Sequence, residues 1–129
     1  LLAEDNLVNR KVATGILRKC GCDVIEAENG RVALDILEQK SFDLVFMDVQ
    51  MPEMDGFEAT RRIRADDRWK NLTIIAMTAH AMKGDRERCI DAGMNDYITK
   101  PVSIIRVQDI VAKWGPSAAA AKNVGEFVQ

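Results

Sequence analysis

Residues 43–56 read DLVFMDVQMPEMDG, and this stretch decides the fold of the chain. The run from Leu44 to Met47 is apolar at every position, which is typical of a strand that is buried on both faces of a parallel sheet. An acid, Asp48, follows directly, and a segment with helical periodicity begins near Gly56. A strand followed within a few residues by a helix is the repeating unit of α/β proteins.

The same strand-then-helix unit occurs five times along the chain. The strand runs lie at 1–3, 22–27, 43–47, 72–77 and 96–99. Apolar residues three or four positions apart predict a helix after each run. They are, in chain order, Val8, Val12, Ile16 and Cys20 with Ala13 and Leu17; Val32, Ala33, Ile36 and Leu37; Phe57, Thr60 and Ile63; Cys89 and Ile90; Ile104, Val107, Ile110, Val111 and Trp114. The fourth helix, roughly from Gly84 to Asp91, is mostly polar, and Gly93 fits a left-handed cap at its end.

The polarity of the strands predicts their order in the sheet. The third and fourth runs are apolar, whereas Asp23 and Glu26 interrupt the second run, and Asp96 and Thr99 interrupt the fifth. Polar strands suit the edges of a sheet, which gives the order 2-1-3-4-5. We therefore predict an α/β fold: a flavodoxin-like, doubly wound (βα)5 sandwich of three layers with a parallel sheet.

This predicted domain spans residues 1–115. Residues 116–129 are rich in alanine and follow Gly115, so we interpret them as a tail or linker. The first strand run is short for a central strand. We therefore expect that this strand is truncated at its start and that the natural chain continues upstream of Leu1.

The composition excludes several classes of protein. The 129 residues carry 18 basic and 20 acidic side chains, which is not the basic footprint of a nucleic-acid-binding domain. No apolar run approaches the length of a membrane span. Cys20, Cys22 and Cys89 are odd in number and lack metal-binding spacing, so neither a disulfide framework nor a zinc site is expected. The first residues show no signal peptide, and the expected location is cytoplasmic, with a membrane-anchored parent chain left open.

Polar residues end four of the five predicted strands. Glu4 and Asp5 follow the first strand, Asp48 the third, Thr78 the fourth and Lys100 the fifth. The carboxyl ends of parallel strands meet at one edge of the sheet, and ligands of such folds bind there, where the strand order reverses. We therefore expect these side chains to surround one site.

The chemistry of these residues predicts a metal and a phosphoryl group. Three neighbouring carboxylates repel one another unless a cation balances them, and Mg²⁺, or Mn²⁺, suits oxygen ligands. A carboxylate nucleophile, an ammonium group and a hydroxyl then suit phosphoryl transfer. Asp5 has the alternative role of helix N-cap. Asp48 does not, because the next helix begins near Gly56 and Asp55 is its better cap.

The motifs at the strand ends also carry a family resemblance. They are LAEDN at 2–6, MDVQMPEMDG at 47–56, MTA at 77–79 and DYITKP at 96–101. In this order and at these spacings, residues 1–115 resemble the receiver domain of two-component response regulators. The segments at 77–83 and 93–102 look most like receivers of hybrid sensor histidine kinases.

The resemblance implies the phosphoacceptor and the metal ligands. Asp48 would attack the phosphorus of a phosphohistidine on a partner protein. Asp5, Asp48 and the backbone carbonyl of Gln50 would hold the metal, and Glu4 would act largely through water. A histidine kinase or a histidine phosphotransfer protein is therefore the implied partner.

The resemblance also implies a phosphate-binding set and a switch. Thr78, the amide of Ala79 and Lys100 would bind phosphoryl oxygens, and the Lys100–Pro101 peptide bond would be cis. Tyr97 matches the aromatic switch position, which turns inward when Thr78 moves toward the phosphate. Phosphorylation changes the charge of the site by roughly −1, and we expect the fourth helix, the fifth strand and the fifth helix to move.

Two positions are candidates for tuning the lifetime of the phosphoryl group. Gln50 lies two residues after Asp48, and His80 lies two residues after Thr78. Both are expected to overlook the site and to orient or block the hydrolytic water. The alternative for His80 is an ordinary solvated loop residue.

Other functions stay open at this point. A Mg²⁺-dependent phosphatase of the aspartyl-phosphate type also places an Asp after a strand, but it requires a second Asp where this chain has Gln50. A flavodoxin-like binding module requires a phosphate loop that residues 6–10 do not provide, and nucleotide-binding glycine motifs do not occur. A receiver that is never phosphorylated and serves only as a protein-interaction module is a third alternative.

The parent chain and the contacts of the domain are also matters of expectation. The domain itself accepts and slowly hydrolyses phosphate, and a transferase activity would belong to a hybrid histidine kinase parent. A homodimer through the fourth helix and fifth strand is one option, since Lys83 and residues 85–88 carry mixed charges. Such a run is more often a solvated helix face. We expect no direct nucleic-acid contact and no membrane contact by this domain.

Overall fold

A computed structural model describes residues 1–79 and 83–115 of the chain. Five strands alternate with five helices. The strands are β1 (Leu2–Ala3), β2 (Glu26–Ala27), β3 (Leu44–Asp48), β4 (Thr73–Thr78) and β5 (Asp96–Thr99). The helices are α1 (Leu7–Lys19), α2 (Gly30–Gln39), α3 (Gly56–Arg64), α4 (Lys83–Ala92) and α5 (Ile104–Trp114), and a 3₁₀ turn covers Asp67–Trp69. The predicted α/β architecture is confirmed.

The strands form one parallel sheet in the order β2-β1-β3-β4-β5. The order that strand polarity predicted is therefore confirmed. Strands β3 and β4 pair from Leu44 opposite Thr73 to Asp48 opposite Met77. Because all strands run the same way, the residues that end them lie at the same edge of the sheet.

The helices cover both faces of the sheet, and alternate strand residues point to opposite faces. One face carries α1 and α5, and its core includes Leu17, Phe46 and Ile110. The other face carries α2, α3 and α4, and its core includes Val45 and Ile63. The result is the three-layer sandwich that the sequence predicted.

The predicted apolar stripe of α1 is confirmed in part. Ala13 and Leu17 are buried, and Ile16 and Cys20 pack against the same core, whereas Val8 is 69% exposed and Val12 is 53% exposed. The buried face also contains the polar Thr14, which an apolar pattern does not indicate. The predictions for Ile90 and Ile104 are wrong, because both are exposed.

Strand β2 is shorter than the predicted run 22–27. Its partner β1 offers only two paired positions, Leu2 opposite Glu26 and Ala3 opposite Ala27. A strand exists only where a neighbouring backbone completes the ladder, so the rest of the run does not form one.

The ends of two helices agree with the sequence analysis. Asp55 caps α3, since its side chain accepts a hydrogen bond from the amide of Glu58 at 2.8 Å. Gly93 has a φ of +106°, and the amide of Met94 donates to the carbonyl of Cys89 behind it. This is the left-handed cap that was predicted for α4.

Two smaller predictions can be compared with the structure, and two concern residues that it does not describe. Cys20, Cys22 and Cys89 are free thiols. Among residues 1–79 and 83–115, the helices are all too short and too polar to cross a membrane. His80 and the tail at 116–129 lie outside the described residues.

Candidate functional site

The carboxyl edge of the sheet opens into a cleft of about 670 Å³. Its floor is formed where two paired strands end, since Asp48 ends β3 and Thr78 ends the neighbouring β4. Glu4 and Asp5 enter from the end of β1, and Lys100 enters from the end of β5. The structure thus brings the five residues of the predicted rim to one cleft.

Three acidic side chains form the negative part of this cleft. Carboxylate oxygens of Glu4, Asp5 and Asp48 all lie within 4.8 Å of one another. Glu4 is 1% exposed and Asp48 is 2% exposed, whereas Asp5 is exposed to solvent. Two of the three negative charges are therefore held almost without access to water.

Lys100 supplies the positive charge that partly balances the acids. Its Nζ donates to Asp48 Oδ2 at 2.8 Å and to Glu4 Oε2 at 3.2 Å. The Lys100–Pro101 peptide bond is cis. Burial acts to lower the pKa of Lys100, but the hydrogen bonds and charges of Asp48 and Glu4 outweigh it and hold the pKa above its usual range. Lys100 is therefore a permanent cation of the cleft.

Glu4 experiences the surplus of negative charge most strongly. Burial raises its pKa, and the neighbouring Asp48 raises it further, while Lys100 opposes both. The net result is a pKa of about 7 instead of the ordinary 4.5. One ammonium group is too little for this cluster, so the cluster favours binding of a further cation. Its ligand atoms are carboxylate oxygens, which are the ligands that Mg²⁺ and Mn²⁺ prefer.

The carboxylate of Asp48 is held from two sides. Oδ1 accepts a hydrogen bond from the amide of Gln50 at 3.1 Å, and Oδ2 accepts the bond from Lys100. The chain after Asp48 then folds back, and the amide of Gly56 donates to the carbonyl of Val49 at 3.2 Å. A Cβ at position 56 would lie 2.9 Å from the backbone carbonyl carbon of Asp48. Glycine is therefore required where α3 meets the end of β3.

Asp5 does not cap α1. The cap is Asn6, whose side chain accepts a hydrogen bond from the amide of Asn9 at 2.9 Å. The alternative role of Asp5 as an N-cap is therefore wrong, because the next residue fills it. The carboxylate of Asp5 is left at the mouth of the cleft.

The remaining predicted residues take the following places. Thr78 is 5% exposed and lines the cleft together with Ala79 and Gln50. Tyr97 is half-buried on β5, packs against the core on the α2–α4 face, and has the guanidinium of Arg86 6.0 Å from its ring centre. Thr78 and Tyr97 thus lie on adjacent strands.

Sequence reasoning missed two basic residues near the site. Arg88 of α4 lines the cleft and lies 4.6 Å above the ring of Phe57. Arg10 of α1 donates to the backbone carbonyl of Glu4 at 2.9 Å. Arg88 lies in a run of charged residues that is typical of a solvated helix face, so the sequence does not indicate that it lines the cleft. Arg10 carried one usable signal: it lies five residues after Asp5, in the first turns of the helix that follows.

The sequence profile of the response regulator receiver domain matches residues 1–112. The chain belongs to this family. The receiver resemblance of the sequence is therefore confirmed, and this receiver domain is part of a two-component phosphorelay.

The relatives of this receiver domain are found mainly in larger kinases. It is 41% identical to hybrid signal transduction histidine kinase A of Dictyostelium discoideum over 119 residues, which is 89% of this chain but only 6% of that kinase. The receiver domain of the sensor histidine kinase PA1611 from Pseudomonas aeruginosa is 42% identical with a TM-score of 0.81, covering 88% of this chain and 93% of that one. That structure holds a magnesium ion in its active-site cleft.

A second solved structure includes a partner. It is the co-crystal structure of the Saccharomyces cerevisiae histidine phosphotransfer signaling protein Ypd1 with the receiver domain of Ssk1. The match is 31% identical with a TM-score of 0.82, and it covers 88% of this chain and 86% of that one.

Proposed function

We propose that Asp48 accepts a phosphoryl group from a phosphohistidine and that the domain signals through the resulting change of shape. The observation that carries this proposal is the setting of Asp48. Its carboxylate is 2% exposed at the end of a central strand, and both its oxygens are oriented, by the Gln50 amide and the Lys100 ammonium. A fixed and partly neutralised carboxylate is suited to nucleophilic attack.

The acidic cluster fits a divalent cation. Asp5, Asp48 and the backbone carbonyl of Gln50 would hold Mg²⁺, or Mn²⁺, and Glu4 would contribute largely through water. The fit is supported by the clustered carboxylate oxygens and by the burial of Glu4 and Asp48, which leaves little water to balance their charge. The metal would neutralise charge that develops on the phosphoryl oxygens during transfer.

The transfer itself requires few protein groups. A carboxylate oxygen of Asp48 forms a bond to phosphorus, and the bond between phosphorus and the imidazole nitrogen breaks with its electron pair returning to the imidazole. The product is an acyl phosphate on Asp48 and a free histidine on the partner. Lys100, the Thr78 hydroxyl and the Ala79 amide would then bind the phosphoryl oxygens. Gln50, which lines the same cleft, is suited to orient or block the water that later hydrolyses the product.

The proposed switch depends on contacts that differ between the two states. In the unphosphorylated domain Lys100 bonds to Asp48 and Glu4. A phosphoryl group adds acceptor oxygens that compete for Lys100 and draw in Thr78, and a population shift requires such a difference. Tyr97, on the strand next to Thr78, then transmits the change to α4, β5 and α5. Helix α4 suits a moving element because few of its residues are apolar.

An apolar surface beside the cleft suits the histidine-bearing partner. Leu7, Val8 and Val12 on α1 are 58%, 69% and 53% exposed. Val12 also lines a groove shared with Lys100 and Pro101. A contiguous exposed apolar patch marks an interaction site. We place here a helix of a histidine kinase or histidine phosphotransfer protein, in a cytoplasmic setting, with a hybrid kinase as the parent chain.

The test uses a small acyl-phosphate donor with Mg²⁺ and intact-mass measurement. The wild-type chain gains the mass of one phosphoryl group. The gain is lost in Asp48→Asn and on chelation of the metal, and it is kept in Asp109→Asn, which removes an exposed acid on α5. Phosphorylation of Asp48→Asn at the wild-type rate would contradict the proposal, as would a gain that does not depend on the metal.

A further inference from the structure

We propose that Arg10 is a positioning residue that holds the acidic loop after β1 in the geometry needed to bind the metal. The inference rests on the proposed function, because it concerns the same metal site. It adds a residue that lies outside the cleft and that none of the site motifs contains.

Strand β1 has only two residues, so few ladder bonds fix the position of Glu4 and Asp5. The amide of Glu4 donates to the carbonyl of Ala27 on the edge strand at 3.0 Å. The carbonyl of Glu4 belongs to the peptide unit that joins Glu4 to Asp5. The orientation of this peptide unit therefore sets the direction in which both carboxylates leave the backbone.

Arg10 binds this carbonyl and is itself held in place. Its Nη1 donates to the Glu4 carbonyl at 2.9 Å, and its Nε donates to Glu26 Oε1 at 3.2 Å. The side chain of Arg10 is 16% exposed, and that of Glu26 is 23% exposed. The two donors of one planar guanidinium thus tie the acidic loop to α1 and to β2 at the same time.

Position and charge predict opposite effects of Arg10 on the metal. A positive charge near the acidic cluster repels Mg²⁺, so charge alone predicts that removal of Arg10 tightens metal binding. A positioning role predicts that removal weakens it, because outer residues that orient ligands typically contribute about 10-fold or more to metal affinity. The sign of the change therefore separates the two roles.

The experiment measures the Mg²⁺ dissociation constant of the full chain by calorimetry at pH 7.5. Arg10→Met removes the charge and both hydrogen bonds, and Arg10→Lys keeps the charge but cannot reach two partners as a planar fork does. Both variants are expected to bind Mg²⁺ about 10-fold more weakly than wild type. Urea unfolding of the metal-free variants establishes that the loss of affinity is measured on folded protein.

Lys11→Met is the matched control. Lys11 is the next residue, its side chain is 66% exposed, and it contacts Glu26 at 3.5 Å. Its removal takes away the same charge without touching the loop, so the dissociation constant is expected to stay within about twofold of wild type, as a screened surface charge implies. If Arg10→Met does not fold, Glu26→Met replaces it, since it leaves Arg10 in place but removes the acceptor of its Nε hydrogen bond, and it too must weaken Mg²⁺ binding.

The outcomes separate the two proposals. Wild-type or tighter Mg²⁺ binding by Arg10→Met overturns the positioning role while leaving the proposed function intact, and unchanged binding by Glu26→Met does the same if Arg10→Met does not fold. A wild-type chain that does not bind Mg²⁺ overturns the proposed metal site itself. Equal weakening by Lys11→Met and Arg10→Met also overturns the positioning role, because Lys11 does not bind the Glu4 carbonyl.

Discussion

Charged groups at the two ends of the parallel strands differ in how completely they are paired. At the carboxyl edge, Glu4, Asp5 and Asp48 share one ammonium group, and Glu4 keeps its proton up to about pH 7. At the amino edge, the guanidinium of Arg64 donates to the carbonyls of Gly93 and Trp69 and to the side chain of Asn95, each at 2.8 Å. At the carboxyl edge, the negative charge of the acids exceeds the positive charge of Lys100. At the amino edge, each of the three guanidinium nitrogens of Arg64 has a hydrogen-bond partner.

This difference indicates that contacts that stabilise the fold and groups that bind ligands lie at separate edges of the sheet. Arg64 joins the end of α3, the 3₁₀ turn and the turn between α4 and β5, so its bonds stabilise the fold. The cleft instead keeps a surplus of negative charge, which a bound divalent cation would balance. Measurements that alter one edge at a time therefore separate the two properties.

The largest expected effect on stability is at the amino edge. Arg64→Ala removes three charge-assisted hydrogen bonds and leaves the Gly93 carbonyl without this donor, while the Trp69 carbonyl and Asn95 Oδ1 keep the amides of Leu72 and Ile74. We expect the free energy of unfolding to fall by about 3 kcal/mol. Urea unfolding measures it. Arg62→Ala is the control, because Arg62 is half exposed on the same helix and pairs with Glu58. We expect it to cost less than about 0.5 kcal/mol.

The same two variants also test whether the edges are independent. Phosphorylation of Asp48 by a small acyl-phosphate donor is expected to proceed at the wild-type rate in folded Arg64→Ala. A loss of phosphorylation that matches the loss of stability would mean that the amino edge also shapes the cleft, which would break the distinction.

The second effect concerns the pH dependence of the metal-free domain. Glu4 has a pKa of about 7 when folded against 4.5 ordinarily. Between these values the folded state binds more protons than the unfolded state, so stability falls as pH rises through this window. Glu4→Gln removes the penalty and is expected to exceed wild type by about 2 kcal/mol at pH 8. The difference should close at pH 4, where the carboxyl is protonated in both states.

Magnesium provides the control for this pH effect. Saturating Mg²⁺ replaces the proton at the acidic cluster and stabilises the folded state. The stability of the wild-type domain should then no longer fall between pH 4.5 and 7, and a chelator should restore the fall. A metal-free wild-type domain whose stability is flat across this window would show that Glu4 does not carry surplus charge.

The smallest effect concerns a polar group at neither edge. Within residues 1–79 and 83–115, the hydroxyl of Thr14 is the one buried side-chain polar atom without a hydrogen bond. Thr14→Val keeps the shape and removes the unpaired hydroxyl, so we expect a gain of about 1 kcal/mol in thermal or urea unfolding. Thr60→Val is the matched control. It removes a buried hydroxyl that donates to the Gly56 carbonyl at 2.7 Å, and it should destabilise the domain.

Much of the fold could be predicted from sequence because strand burial leaves a direct pattern. Continuous apolar runs around Phe46 and Ile75 marked the central strands, and polar residues such as Asp96 marked an edge. The buried face of α1 was predicted only in part: Ala13 was recognised, but Thr14 is buried as well and the larger Val8 faces solvent. Hydrophobicity alone does not say which side of a helix has room to approach the sheet.

In the site, too, residues that follow from the local sequence pattern could be predicted, whereas contacts between distant segments could not. Glu4, Asp48 and Lys100 were predictable because parallel strands must end at one edge. The roles of Arg10 and Gly56 depend on a carbonyl that another segment places beside them. The spacing of Arg10 after Asp5 and the place of Gly56 in the motif at 47–56 are visible in the sequence, but the carbonyl that each one approaches is not.

The turn at Gly93 has a practical consequence for chimeric receivers. A Cβ at this position would lie 2.7 Å from Cγ of Arg64, so a residue with a side chain would displace the stem of that arginine. Helix α4 and its turn can therefore be exchanged between homologous domains only if the incoming segment keeps glycine at this position or if the last turn of α3 is exchanged with it.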